Sequence, residues 1–296
     1  MHKLSIMKKN IALVLSGGGA RGIAHIGVIE ELEMQGFEIT SISGTSMGAV
    51  VGGVYALGKL KEFKNWLYSL DKKEVFKLID FTFSSQGLVK GDKVFNKMQE
   101  FIPDSNIEDL KIDFSCIATD IINKKEVVYT YGDIFEAIRA SVSIPTVLTP
   151  IKRGDSLLVD GGVINNIPIN HVTRRQNDIL IAIHVNADIP VYKPKLSKKE
   201  FNLKQSKYLR KIKEFEEKLK LVHRENHKDN LGYFDLINRT VGLMTNKISN
   251  MIIEKYPPDI LINVSRDTCG LFDFYKAEEL VEIGHYATRI TLEIKE

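Results

Sequence analysis

Apolar residues open the chain in short runs, each passing through glycine into a helical spacing. Ile11 to Ser16 predicts a short buried strand running into Gly17-Gly18-Gly19. Behind it Ile23, Ile26, Val28, Ile29 and Leu32 line one side of a helix that Gly36 closes. Phe37 to Ser43 predicts a second strand, and Gly44-Thr45-Ser46-Met47-Gly48 turns it into a small-residue helix ending near Leu57. This repeated strand, glycine turn and helix is the cadence of a parallel sheet with helical crossovers.

Further along, Lys59 to Leu78 and Asp92 to Phe101 predict more polar helices joined by a loop rich in Phe, Ser and Gly. Strands are expected at Phe114 to Thr119, Glu126 to Thr130, Ser156 to Val159 and Ile179 to Val185, with a helix from Asp133 to Ala140. Val185 should end the regular sheet, because Asn186, Asp188 and Pro190 break the pattern. Leu203 to Val222 predicts a helix with Tyr208, Ile212, Phe215, Leu219 and Val222 on one face and Lys and Arg crowding the other. A helix from Tyr233 to Glu254, a strand from Ile260 to Val264 and a closing helix from Ala277 to Ile290 complete the pattern. Lacking repeats, low-complexity tracts or an interdomain linker, the chain is expected to form one α/β domain over residues 8–296, with a basic helical insert at about 193–230.

Composition narrows the class. A chain of 296 residues buries about three-quarters of its unfolded surface, so it needs neither disulfides nor metal to hold a core. Hydrophobic content of 44% with 27% charged residues argues against collagen-like, disordered and integral-membrane classes. Cys116 and Cys269 are the only cysteines and are expected as small buried side chains. Lys3, Lys8 and Lys9 precede an apolar run too short for a secretory signal, and no stretch approaches the about 20 apolar residues of a membrane span, so a cytoplasmic location is expected. Met7 is a second candidate start, with Met1 to Ile6 then a leader. Residues 193–229 carry 13 Lys/Arg against 6 Asp/Glu, so the net charge of +3 hides a basic segment on an otherwise acidic chain. A local surplus without any recognition module argues against nucleic acid as a partner.

Two glycine loops bear on chemistry. Gly17-Gly18-Gly19-Ala20-Arg21-Gly22 fits a dinucleotide fingerprint, yet the second strand ends without the carboxylate that would hold a ribose. No Gly-Lys-Ser/Thr follows, which removes a P-loop. What survives is a set of N–H groups at a helix start, freed by glycine to approach an anion. Gly44-Thr45-Ser46-Met47-Gly48 fits GxSxG, where glycines on either side of a serine permit a sharp turn that presents its hydroxyl. A base is then needed. Asp160, at the end of the apolar run Leu157 to Val159 and ahead of Gly161 and Gly162, is a costly place for a charge unless it is paired. It reads either as an Asx-type turn or as the base for Ser46.

Taken in order, the glycine loop, Gly44-Thr45-Ser46-Met47-Gly48, Ser141-Val142-Ser143-Ile144-Pro145 and Asp160-Gly161-Gly162 resemble the bacterial patatin-like phospholipases. The similarity of pattern runs from Ile11 to Asn170 and extends to Pro257-Pro258-Asp259-Ile260 and the closing helix. The resemblance implies a three-layer α/β/α fold with a mainly parallel central sheet, and a serine hydrolase of lipid acyl esters that needs no cofactor or metal. Carried over, Ser46 is the nucleophile, Asp160 the base and the Gly17, Gly18 and Gly19 amides the oxyanion hole, with Arg21, Gly22, Gly44, Gly48, Gly161 and Gly162 in support. The long basic insert after His184 and the Thr149 position depart from the family pattern.

Alternatives stand beside this reading. Ser, Asp, His is also the order of an α/β-hydrolase triad, for which His184 or His285 would serve, while His171 is expected in a helix and His25 as a packed side chain. A non-catalytic lipid-binding protein would use the same pocket, and a nucleotide-binding oxidoreductase is more distant. Arg21 either pairs with a surface carboxylate, completes the loop fold or meets an anionic head group. The basic helix is either a solvated arm or dimer contact, or an interfacial element at the inner membrane surface. Phe81, Phe83 and Leu88 are candidates to line an acyl pocket or to pack in the core.

Overall fold

A computed structural model describes residues 9–78, 81–84, 87–89, 91–191 and 233–294, with only the backbone over 81–89. The expected helix at Leu203 to Val222 lies outside the described residues, as do the side chains of Phe81, Phe83 and Leu88. The described residues fall into two compact units, one holding those up to 191 and from 244 onward, the other those of 233–243.

In chain order the first half contains β1 (Lys9–Leu15), α1 (Ala24–Met34), β2 (Phe37–Thr45), α2 (Met47–Ala56), α3 (Leu60–Ser69), α4 (Lys72–Leu78), β3 (Phe81–Ser84), β4 (Gly87–Val89) and α5 (Asp92–Gln99). There follow β5 (Asp113–Asp120), β6 (Lys125–Tyr129), α6 (Ile134–Ser141), β7 (Thr146–Leu148), β8 (Ile151–Arg153), β9 (Ser156–Asp160) and β10 (Ile179–Ala187). The chain finishes with α7 (Tyr233–Lys255), β11 (Ile260–Ser265) and α8 (Ala277–Thr291).

The main sheet runs β11-β10-β1-β2-β5-β9-β8, with β6 also paired to β5. Its five strands from β11 to β5 are mutually parallel, while β6 and β9 run antiparallel to β5, and β8 pairs antiparallel with β9. Burial on both faces explains why β1 reads as a continuous apolar run rather than an alternation. Ile11, Leu13 and Leu15 point into the larger core, with residues of α1, α2, α6 and α8, whereas Ala12 and Val14 join Ile167, Ile169, Leu180 and Ala182 beneath Ile252 and Ile253 of α7. Helix, sheet and helix therefore stack in three layers.

The structure departs from the expected elements at four places. The Phe-, Ser- and Gly-rich connection holds β3 and β4, which join β7 in a separate three-stranded sheet. Runs of three or four residues are too short to show a period, and β7 lies far from β4 in sequence, so neither leaves a local signal. The polar helix expected over Lys59 to Leu78 is two helices, because the Asp71 carboxylate accepts from the N–H groups of Lys73 and Glu74, both at 2.8 Å, and starts a new one. His171 ends a 3-10 turn, Ile169–His171, rather than lying in a regular helix. β10 continues through Asn186 to Ala187, since the Asn186 side chain is occupied elsewhere instead of competing with its own backbone. Among the described residues no helix is long and apolar enough to cross a membrane.

α1 and α8 cross in backbone contact. A Cβ on Gly27 would lie 1.9 Å from the Val281 carbonyl oxygen, and one on Gly284 would lie 2.0 Å from that of Ala24. Gly27→Ala is therefore expected to lower the unfolding free energy by about 3 kcal/mol or more in urea titrations, because the clash is with backbone. Gly58→Ala is the control: with φ of 70° and nothing within 4 Å of its Cβ, it should cost only the about 1–2 kcal/mol of a left-handed residue.

Candidate active site

Ser46 stands between β2 and α2 with φ of 54° and ψ of −123°, a left-handed conformation that a serine holds only under constraint. The constraint is visible. Its N–H donates to Ser141 Oγ at 2.9 Å, Thr45 Oγ1 donates to the Asn165 carbonyl at 2.9 Å, and the Ser46 carbonyl accepts the first helical bond from Val50 at 3.1 Å. Gly44 and Gly48 are where the turn folds on itself. A Cβ on Gly44 would meet the Gly48 carbonyl at 2.5 Å, and one on Gly48 would meet that of Leu15 at 2.2 Å.

β5 lies between β2 and β9 and brings their ends together. Thr45 pairs with Ile117 on one side of β5, and Asp160 pairs with Ala118 on the other. The Ser46 hydroxyl faces the Asp160 carboxylate, and both residues are buried, at 3% and 6% exposure. Asp160 Oδ1 also accepts from the Gly162 N–H at 2.7 Å, so the Asx turn and the pairing with Ser46 hold together. Burial raises the carboxyl pKa from 3.8 to about 6, against the opposing pull of the Ser46 hydroxyl and the Gly162 amide. Gly161 is pressed against β5, where a Cβ would meet the Ile117 carbonyl at 2.2 Å.

The segment Ser141 to Ser143 ties Ser46 and Asp160 into one frame. Ser141 Oγ, which receives the Ser46 N–H, donates to the Ile117 carbonyl at 2.6 Å, and the Ser143 carbonyl accepts the Asp160 N–H at 2.9 Å. Arg139 donates to Ser143 Oγ at 2.7 Å and to the Thr149 carbonyl and hydroxyl at 3.4 and 3.3 Å, which gives Thr149 an anchoring part.

The first glycine loop lies against Ser46. A Cβ on Gly17 would be 3.1 Å from that of Ser46 and 2.5 Å from Asn166 Oδ1, and one on Gly22 would be 2.6 Å from Met47 Cβ. Gly17 spends its N–H on the Asn166 carbonyl at 3.0 Å, so it is not a free donor. The N–H groups of Gly18 and Gly19 have no hydrogen-bond partner among the described residues. Gly19 has φ of 56°. Arg21 hydrogen-bonds no carboxylate among the described residues: Nε and Nη2 donate to Asn186 Oδ1 at 3.0 and 2.7 Å, and Nη1 to the Cys269 carbonyl at 3.1 Å. Burial holds its guanidinium below the ordinary value. Of the three readings of Arg21, the bonds match completion of the loop fold.

No histidine hydrogen-bonds Ser46 or Asp160 among the described residues. Nε2 of His25 donates to the Ser16 carbonyl at 2.8 Å, and burial lowers its pKa to about 4. His184 faces Asn246 of α7 and is likewise pushed to about 4 by burial. His285 lies on α8 with Nε2 and Nδ1 at 3.1 and 3.2 Å from the Glu30 and Glu31 carboxylates of α1. Cys116 and Cys269 are both free and buried. Among the described residues no group of three or more His, Cys, Asp or Glu is placed to hold a metal. From sequence, Ser141 had only a place in the family pattern, Asn186 only that of a strand breaker, and Asn166 no part; the further signal was their polarity inside apolar strands and turns, where a buried amide or hydroxyl must find a partner.

A family model described as patatin-like phospholipase matches residues 13–173. An uncharacterized NTE family protein of Mycobacterium tuberculosis is 30% identical over 328 residues, covering 96% of this chain and 91% of that protein. Lysophospholipase NTE1 of Saccharomyces cerevisiae is 34% identical over 185 residues, which is 60% of this chain and 11% of the yeast protein. The crystal structure of VipD from Legionella pneumophila is similar over 97% of this chain and 67% of that one, at 15% identity and a TM-score of 0.48.

The raised pKa of Asp160 makes a stability prediction. Its folded pKa lies above the unfolded value, so the carboxyl's contribution is fully present below about pH 4 and is lost as pH rises through about 6. Asn carries no such titration. The unfolding free energy of Asp160→Asn relative to wild type should therefore climb by up to about 3 kcal/mol between acid and neutral pH. Denaturant titrations across that range check this, and a flat difference would mean the carboxyl titrates alike in both states.

Proposed function

The chain belongs to the patatin-like phospholipase family, and on that footing we propose that it hydrolyses acyl esters of phospholipids, lysophospholipids or related lipids through Ser46 and Asp160. The observation that carries this reading is a serine hydroxyl facing a buried carboxylate, with no imidazole between them among the described residues. A free Asp is a poor base for a hydroxyl, but burial brings its proton affinity toward neutral pH, and the Gly162 amide fixes one of its oxygens.

In the first half-reaction Ser46 Oγ attacks the ester carbonyl carbon while its proton passes to Asp160. The carbonyl π pair moves onto oxygen, where the N–H groups of Gly18 and Gly19 stabilise it. Each such donor is worth about 10²- to 10³-fold in rate. Gly17, counted in the hole from sequence, instead spends its N–H on Asn166 and positions the loop. When the tetrahedral adduct collapses, the protonated Asp160 returns its proton to the departing alcohol. Water then repeats the cycle on the acyl-enzyme and releases the fatty acid. The lysophospholipase name of the yeast relative supports a lipid substrate.

Ser46→Ala is expected to lose roughly a thousandfold or more in kcat, measured with a short-chain p-nitrophenyl ester and by mass spectrometry of products from a mixed lipid extract. A fluorophosphonate should label Ser46; lack of both labelling and turnover would favour the lipid-binding alternative. Because the ionised carboxylate is the base, kcat/KM should fall about tenfold per pH unit below about pH 6. His285→Ala should lose far less than the about 10²- to 10⁴-fold that removing a general base entails. A loss of that size would restore the triad reading.

A further inference from the structure

We propose that Asn186, gripped by Arg21, is a positioning residue that sets the direction in which the Gly18 N–H points, and through it the strength of the oxyanion site. The inference rests on the hydrolase reading above. Neither side chain touches substrate; both act through the Gly17–Gly18 peptide.

In a trans peptide the carbonyl of one residue and the N–H of the next point in opposite directions. The Gly17 carbonyl is held by two amides, Asn186 Nδ2 at 2.6 Å and Asn166 Nδ2 at 3.3 Å. Pinning that oxygen pins the Gly18 N–H on the other side of the peptide plane, where no hydrogen-bond partner is found among the described residues. Glycine allows this plane to sit close to β10, since a Cβ on Gly18 would lie 2.4 Å from Val185 Cγ2.

Asn186 can hold the carbonyl only if its amide faces the right way, and Arg21 decides that. A guanidinium has donors and no acceptor, so the two bonds from Nε and Nη2 require Oδ1 on the Arg21 side and leave Nδ2 for Gly17. Asp in this place could accept from Arg21 but could not donate to a carbonyl, and Leu could do neither. The chain of bonds also carries polarisation. The cation draws electron density from the Asn186 amide, which sharpens its N–H toward the Gly17 oxygen, and the polarised peptide in turn offers a stronger Gly18 N–H. A positive charge thus reaches the developing oxyanion without an ionic group entering the pocket. Arg21 is itself fixed by the Cys269 carbonyl, while the Leu271 carbonyl accepts the Ala20 N–H at 2.9 Å, so the stretch after β11 braces the clamp from behind.

Asn186→Asp keeps the acceptor for Arg21 and removes the donor for Gly17, and Arg21→Lys keeps the charge while breaking the two-point grip. Both variants are assayed with a soluble p-nitrophenyl ester and with a trifluoromethyl ketone. The ketone takes Ser46 Oγ at its carbonyl carbon, gives the serine proton to Asp160 and leaves a negative oxygen in the hole. Asn186→Asp should lower kcat roughly 10- to 100-fold, a fraction of what a whole donor is worth, with KM within about twofold and ketone affinity falling in step with kcat/KM. Arg21→Lys should fall between it and wild type. A crystal structure of Asn186→Asp should show the Gly17–Gly18 peptide rotated away from residue 186.

Unchanged kcat and ketone affinity, a change in KM alone, or loss of a cooperative unfolding transition in both variants would each overturn the proposal. If wild type proves no more active than Ser46→Ala, the hydrolase reading fails separately. The peptide orientation in the Asn186→Asp crystal then decides the clamp: rotation supports it, and an unmoved peptide removes it.

Discussion

One pairing organises this molecule: the Ser46 hydroxyl beside the Asp160 carboxylate, both of them buried. Removing a carboxylate from water is unfavourable, and the surroundings answer with neutral donors rather than a cation, so the group keeps a raised affinity for protons. A cation beside it would stabilise the charge and lower that affinity. The fold brings the two residues together by flanking β5 with β2 on one side and the reversed strand β9 on the other, so that Thr45 and Asp160 pair with the neighbouring residues Ile117 and Ala118.

A second set of contacts keeps that arrangement rigid, and polar groups do the work over very short spans. Ser141 and Ser143, two residues apart, hold the backbone N–H of Ser46 and of Asp160 respectively. Asn165 and Asn166, adjacent in the chain, reach Thr45 through one carbonyl and Gly17 through the other. The left-handed backbone of Ser46 survives because these bonds, with the glycine contacts of Gly44 and Gly48, leave the chain no relaxed alternative.

Much of this was legible in the sequence, for identifiable reasons. Strands buried on both faces announce themselves as unbroken apolar runs, and glycines with no room for a Cβ cluster into Gly17 to Gly22, Gly44 to Gly48 and Gly161-Gly162. Pairing partners were harder to read. β3, β4 and β7 are stabilised by one another and carry no period of their own. Asn186 looked like a strand breaker because its usual preference is to bond its local backbone, and only the three-dimensional arrangement reveals the guanidinium and carbonyl that satisfy it. Gly17 shows the same limit: its type and position were plain, but whether its N–H was free depended on a carbonyl 149 residues away.

The brace supplied by Cys269 and Leu271 carries a consequence for synthesis. Ser46 and Asp160 both leave the ribosome long before these two residues, so the glycine loop beside them gains its rear support only after the pair itself has been synthesised.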